Sequence, residues 1–341
     1  MAMRKMGLGM LAVMVGAWAL LLGGCGQTAT STTAADVSAD ATAAVDGENA
    51  DAATGDPRVV KVMTYNVMCP FCINSDHPDW PQDWATRVPM VRDTIARFDP
   101  DLVGVQETFT PDPAVDMLGD ITTTGGVYES LFYIKQPSDP ATALGDSFVT
   151  YSDAAILYRK ARFDVLDHGV IWLSPTPDIA FSNGFASGGQ FPRLIYWARL
   201  KDKWANRTFI MASTHFDNNT PSQKLSAPLA LARFAKMAVN DPVIFVGDFN
   251  SEPATDAYAI LKNGADAAGF HFANAFDLAD KWQVDSNRTP KPDYDLAQRI
   301  DHFWLAGATF TVPEWHVDLH AYGDLQMWPS DHDPMVAWVR W

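Results

Sequence analysis

Nine short runs of β-branched, aromatic and aliphatic residues recur from residue 59 to the end of the chain, and polar or ionisable residues stand at the termini of six of them. The runs are 59–67, 102–106, 154–158, 170–173, 194–200, 208–213, 242–246, 303–305 and 335–339. Such residues suit a pleated, half-buried surface, so each run reads as a strand. Helical patterns fall between some of them. Residues 84–98 put Val88, Val91, Ile95 and Phe98 on one face of a 3.6-residue period. Residues 222–239 are helical in pattern, with Pro228 expected to kink or restart the helix, and 254–261 follow a Glu-Pro start. Strands with intermittent helices predict packed sheets with helices outside.

The polar residues at the strand termini carry the chemistry. They are Asn66; Gln106 and Glu107; His215 and Asp217; Asp248 and Asn250; Arg299, Asp301 and His302; and Ser330, Asp331, His332 and Asp333. Singly, Asn and Asp are common turn formers. Together they predict one polar basin on the rim of a sheet sandwich. Its carboxylates and amides suit a hard divalent cation, Mg²⁺ or Mn²⁺, which takes oxygen ligands. Imidazoles paired with carboxylates suit phosphoryl transfer, where one pair orients water or polarises the phosphoryl oxygen.

The segments MTYNVM, LVGVQE, STHFD, FVGDFNSEP, QRIDHFWL and SDHDPMVAW, in this order, resemble the motif series of the endonuclease/exonuclease/phosphatase superfamily over residues 58–341, in a bacterial branch. The resemblance implies an α/β fold: a four-layer α/β sandwich of two packed, mostly antiparallel β-sheets flanked by helices, with the site at one end of the sheets. It implies that Asn66 helps hold the metal site, that Glu107 binds Mg²⁺, and that Asp331 is the acid beside the Asp301–His332 pair. His215 and Asn250 would contact the phosphoryl group, and Asp248 would orient or deprotonate the attacking water. Arg193 could clamp a phosphate or form a structural ion pair, and Tyr158 is a second branch-level candidate. Trp84 and Arg87 fit a helix-start packing motif, Asp217 a turn acid, and His302 a packed strand residue.

Cys69-Pro-Phe-Cys72 follows the first strand. A thioredoxin-type pair opens a helix in a βα unit, whereas this one runs into a turn-rich loop. A loop disulfide is the favoured reading, with free thiols and redox catalysis as alternatives. Zinc would need further ligands, for which His77 is the candidate. His316, Asp318 and His320 also suggest a metal, against a loop reading that we prefer.

The N-terminus bears on location. Arg4 and Lys5 precede an apolar, glycine-broken run to Leu22, the pattern of an export signal. Leu22-Gly-Gly-Cys25 resembles a bacterial lipobox, which makes 1–24 a leader and Cys25 the lipidated residue. Residues 25–56 are rich in Ala, Thr and Asp and read as a disordered tether to a single domain at 57–341, expected to be a monomer. The expected location is outside the cytoplasm, lipid-anchored and facing periplasm or cell exterior. The formal charge is −16; losing Arg4 and Lys5 makes it −18, and setting aside six tether acids leaves −12 on the domain. That balance disfavours a broad surface for nucleic-acid phosphates. The expected activity is metal-dependent hydrolysis of a phosphate ester, small or membrane-borne. A nuclease is the rival enzyme, and a non-catalytic surface binding module the rival of another class.

Overall fold

The computed structural model describes residues 56–341 except 73–82, 123–125, 141–149, 184, 186–190, 240 and 265–268. The expected leader, Cys25, the tether up to residue 55, and His77 lie outside the described residues. In chain order the elements are β1 (Val59–Asn66), α1 (Trp84–Phe98), β2 (Leu102–Gln106), α2 (Met117–Thr122), β3 (Tyr128–Ile134), β4 (Thr150–Arg159), β5 (Phe163–Trp172) and β6 (Leu194–Asp202). Then follow β7 (Arg207–His215), α3 (Thr220–Met237), β8 (Val243–Asp248), α4 (Asp256–Asn263), β9 (Ala273–Asn274), a 3₁₀ turn (Ala275–Leu278), β10 (Ala279–Asp285), β11 (Asp301–Ala306), β12 (Val312–Asp318) and β13 (Met335–Arg340).

One sheet has seven strands, in the order β10-β12-β13-β1-β2-β4-β3; the other has six, β5-β6-β7-β8-β11-β9. The pairs β1–β2, β7–β8 and β10–β12 are parallel and the others antiparallel. Among the described residues, three apolar clusters glue the layers. One lies between the sheets, with Val62, Ile156, Met211 and Val246. A second joins the six-stranded sheet to α3 and α4 through Phe234, Phe245 and Tyr258. The third joins the seven-stranded sheet to α1 and α2 through Val91, Ile95 and Leu118. The result is the four-layer sandwich.

Local signals explain the best-placed helix. Asp83 accepts the Thr86 N–H at 2.9 Å and caps α1, and the left-handed Asp99 ends it by donating its N–H to Ile95. Pro228 was expected to interrupt the third helix, yet α3 runs through it. The buried Ala227, Ala230, Leu231 and Phe234 pack the turns on both sides of it onto the sheet, against a proline cost of about 3 kcal/mol. Sequence reading also passed over β3, β9, β10 and β12 and shortened β5. Pro313 and the charged residues of β12 mask its apolar Val312, Trp315 and Val317. His316 and Asp318 are therefore strand residues, not loop residues. His316 pairs with Asp285, and Asp318 with Arg97.

Gly104 sets the spacing of the sheets where β2 crosses β7 and β8. A Cβ there would stand 2.4 Å from Val246 Cγ2 and 3.2 Å from Ser213 Oγ. We expect Gly104→Ala to lower stability by about 1–3 kcal/mol, the usual cost of overpacking a dense core. Urea denaturation measures it, and an unchanged midpoint would contradict the packing argument.

Candidate active site

Strand direction gathers the polar basin. β1 and β2 run parallel, with Asn66 opposite Gln106, so their C-terminal ends share one edge. β4 runs the other way, with Ala154 opposite Gln106, so its start reaches that edge and brings Asp153. In the second sheet His215 ends β7 opposite Asp248 at the end of β8, and Asp301 begins the antiparallel β11 opposite Asp248. Arg193 stands just before β6, and residues 330–333 just before β13, at the same end. Gly247 precedes Asp248 with φ 150°, and a Cβ there would lie 2.1 Å from the Thr214 carbonyl oxygen. Only glycine fits that approach.

Asp248 is the centre. Its carboxylate accepts Asn66 Nδ2 at 3.1 Å and the Asn250 N–H at 2.8 Å. The Nε2 atoms of His215 and His332 stand 3.4 and 3.5 Å from its Oδ2. Burial would raise its pKa, but the two imidazoles and these N–H groups hold it below the usual carboxylate value. His332 Nδ1 is 2.8 Å from Asp301 Oδ2. Burial disfavours a charged imidazole, yet the carboxylates of Asp301 and Asp248 win and hold His332 well above the ordinary histidine value. Burial pushes Asp301 up to about 6, against the pull of His332. At neutral pH the two therefore form an ion pair.

His215 is anchored from behind. Its Nδ1 is 2.8 Å from Asp153 Oδ1, and Arg193 Nη1 reaches the other oxygen of that carboxylate at 2.9 Å. Arg193 Nη1 also lies 2.7 Å from the same ring nitrogen. Two donors cannot bond each other, so we read Nδ1–H as donating to Asp153. Burial and Arg193 lower the His215 pKa, but Asp153 and Asp248 outweigh them and raise it. Burial likewise opposes the charge of Asp153, and Arg193 and His215 keep its pKa low. Asp153 was missed from sequence. The available signal was an acid directly before an apolar run, which marks the rim only when the strand runs antiparallel to its neighbour.

Several expectations change at this point. Arg193 is placed in the ion pair with Asp153 and beside His215, the second of its two readings. Tyr158 does not belong to the site: it pairs with Leu102, four positions down β4 from Ala154, about 13 Å from the rim. Its hydroxyl bonds Glu129 at 2.6 Å. Asn66, read as helping to hold the metal site, accepts the Met68 N–H with its Oδ1, and its Nδ2 bonds both Glu107 Oε1 at 3.0 Å and Asp248. It positions both carboxylates. Asp331 is exposed and lies outside the group formed by Asp248, Asp301 and His332, whose donor atoms fall within 4.8 Å of one another. Asn250, with φ 48°, donates Nδ2 to the Phe216 carbonyl at 2.9 Å. His302 is a packed strand residue, as expected: its Nε2–H donates to the Ser251 carbonyl at 2.7 Å, and burial drives its pKa down to about 3.

Arg87 ties two loops together behind the basin. Fully buried, it donates Nη1 to Val67 O at 2.5 Å and Pro329 O at 3.1 Å, and Nη2 to Met68 O at 2.7 Å. Cys69 and Cys72 form a disulfide, closing the turn whose Cys69 N–H donates to Glu107 Oε2 at 2.9 Å. Their sulfurs are thus not free to ligate zinc. We expect the double variant Cys69→Ser, Cys72→Ser to keep its turnover number while melting at a lower temperature. A collapse of turnover in folded protein would return the pair to catalysis.

Two mixed sheets flanked by helices form an α/β sandwich that carries, at one end, amide-held carboxylates and two carboxylate-backed imidazoles. The chain belongs to the Endonuclease/Exonuclease/phosphatase family, whose model matches residues 63–332. A family member from Bacteroides vulgatus has a similar structure, with a TM-score of 0.64 at 22% identity over 83% of this chain and 98% of that one. So does the mannosyl-6-phosphatase of Bacteroides thetaiotaomicron VPI-5482, with a TM-score of 0.64 at 23% identity, covering 83% of this chain and 100% of that one. At such identities the likeness carries the fold alone. An uncharacterized protein of Acanthamoeba polyphaga mimivirus is 25% identical over 122 residues, which span 36% of this chain and 17% of that protein.

Proposed function

We propose that the protein is a divalent-cation-dependent phosphoesterase that hydrolyses small or membrane-borne phosphate esters outside the cytoplasm. The observation that carries this reading is the Asp248 carboxylate, buried and anionic between two imidazoles that are themselves backed by Asp153 and Asp301. In phosphoryl transfer there is little covalent work for the protein to do; positioning and charge stabilisation dominate. Asp248 orients the attacking water and takes its proton as the new bond forms. Protonated His332, fixed by Asp301, donates to a phosphoryl oxygen as charge builds, and His215 supports a second oxygen from the opposite side.

The residues fit a divalent cation. Asp301 Oδ1 is buried without a hydrogen-bond partner among the described residues, and oxygens dominate the group of Asp248, Asp301 and His332. Glu107 is linked to that group through Asn66. Glu107 and the unpartnered Oδ1 of Asp301 would hold the cation, which when bound supplies positive charge to the phosphoryl oxygens. The anchor at Cys25 is part of the proposal, read out by metabolic labelling of that residue with palmitate.

The test is hydrolysis by the purified protein of sugar phosphates, nucleotides, phospholipids and plasmid DNA, with and without a chelator. We expect chelator-sensitive release of phosphate from small esters, with little change in added salt. Efficient plasmid nicking with strongly salt-dependent DNA binding would make it a nuclease. No hydrolysis of any ester with Mg²⁺ or Mn²⁺ present would leave the binding-module reading.

A further inference from the structure

A cleft of about 710 Å³ opens between the free edges of the two sheets, where β3 faces β5. Nothing in the chemistry above uses it. Its inner end lies in register with the catalytic rim. Trp172 pairs with Leu194, and the register of β6 on β7 continues from Ile195–Thr214 to place Leu194 beside His215. Two strand spacings, about 10 Å, separate Trp172 from His215. The Leu173 N–H bonds the Arg193 carbonyl at 2.8 Å, so the cleft wall continues into the residue that holds Asp153.

The lining has a definite chemistry. Tyr133 from one sheet meets Trp172 from the other edge-on, with ring centroids 5.2 Å apart. The Tyr133 hydroxyl bonds Asp139 Oδ2 at 2.7 Å. The Tyr196 hydroxyl pairs with His168 Nδ1 at 2.8 Å, and the two rings stack. These bonds leave Asp139 Oδ1 and His168 Nε2 without partners among the described residues. Gln136 adds an amide, and Ile134 and Ile179 stand half-exposed at the mouth. No Lys or Arg is among the described residues that line the cleft. Arg233 approaches from outside and is paired with Asp178 at 2.7 Å.

We propose that this cleft binds the neutral, hydroxyl-rich ring of a carbohydrate whose phosphate group is held at the catalytic rim by His215 and His332. Half-buried Tyr133, flanked by the exposed Ile134 and Ile179 and backed by the buried Trp172 and Tyr196, takes the flat C–H face of a sugar ring, while carboxylate, amide and imidazole groups take its hydroxyls. Without a lining cation, a second phosphate or a nucleic-acid backbone meets no counter-charge. The separation of about 10 Å from His215 excludes very short leaving groups, such as glycerol, from reaching the cleft. The proposal rests on the phosphoesterase reading for its substrate, but not for its ligand.

Two measurements on the full chain test it. Saturation-transfer NMR with trehalose, which carries no phosphate, should show binding that Ile179→Trp and His168→Ala each weaken. In kinetics, Ile179→Trp should lower the ratio of kcat/KM for trehalose 6-phosphate over that for glycerol phosphate by at least about tenfold. Trehalose binding lost in both variants, in a protein that hydrolyses no ester, would support the cleft and refute the phosphoesterase reading. Ester hydrolysis with no trehalose binding and an unmoved ratio would overturn the cleft. An Ile179→Trp effect confined to nucleoside monophosphates or naphthyl phosphate would show an aromatic occupant and also overturn it.

Discussion

Asp248→Asn should lower turnover by about 10²–10³-fold with little loss of folded protein. The substitution keeps the volume and the hydrogen bond from the Asn250 N–H, so the strand end stays in place. It removes the anion that faces both His215 Nε2 and His332 Nε2. A neutral amide cannot receive a proton from water, and it turns donors toward groups that are already donors. It also withdraws one of the two carboxylates that hold His332 protonated. Steady-state kinetics alongside circular dichroism measures the effect. His332→Ala should fall on the same scale, because the general acid is then lost outright. Near-wild-type turnover in Asp248→Asn would mean that the reacting atoms lie elsewhere on the rim.

Glu107→Gln should raise the Mg²⁺ or Mn²⁺ concentration needed for half-maximal activity by at least about tenfold, with smaller change at saturating metal. Both Glu107 oxygens are held, one by Asn66 Nδ2 at 3.0 Å and one by the Cys69 N–H at 2.9 Å. A carboxylate fixed by two donors is oriented for a cation without further rearrangement. Glutamine keeps the size but gives up the charge, and it places an NH₂ against one of those donors. Calorimetric titration with Mn²⁺ reads the loss independently of catalysis. Unchanged metal affinity would remove Glu107 from the metal site, and full activity of the wild type after exhaustive chelation would remove the metal requirement altogether.

Both predictions concern residues legible in the chain, and the reason is local. A strand that ends in Asn66, in Gln106-Glu107 or in Asp248 announces its terminus by the change from β-branched to polar residues. The first helix was equally legible, because its 3.6-residue apolar period lies within neighbouring turns, which the structure shows bounded by the Asp83 cap and the stop at Asp99. β12 was not, because Pro313 and three ionisable residues cover its pattern, while its partners β10 and β13 come from elsewhere in the chain.

The sequence by itself determined the sandwich, the ends of its principal strands and most of the polar residues at one rim. Tertiary structure decided which strand starts join those ends. Asp153 and Tyr158 lie on one strand, and only the antiparallel pairing of β4 with β2 puts the acid at the rim and the tyrosine far down the sheet. The same pairing logic turned Arg193 toward Asp153 and His215, and left Asp331 exposed outside the acid group. Strand composition reports burial and local conformation. Direction and register come from contacts between segments distant in the chain, such as Asn66 with Asp248 across 182 residues, and no stretch of the sequence contains both partners.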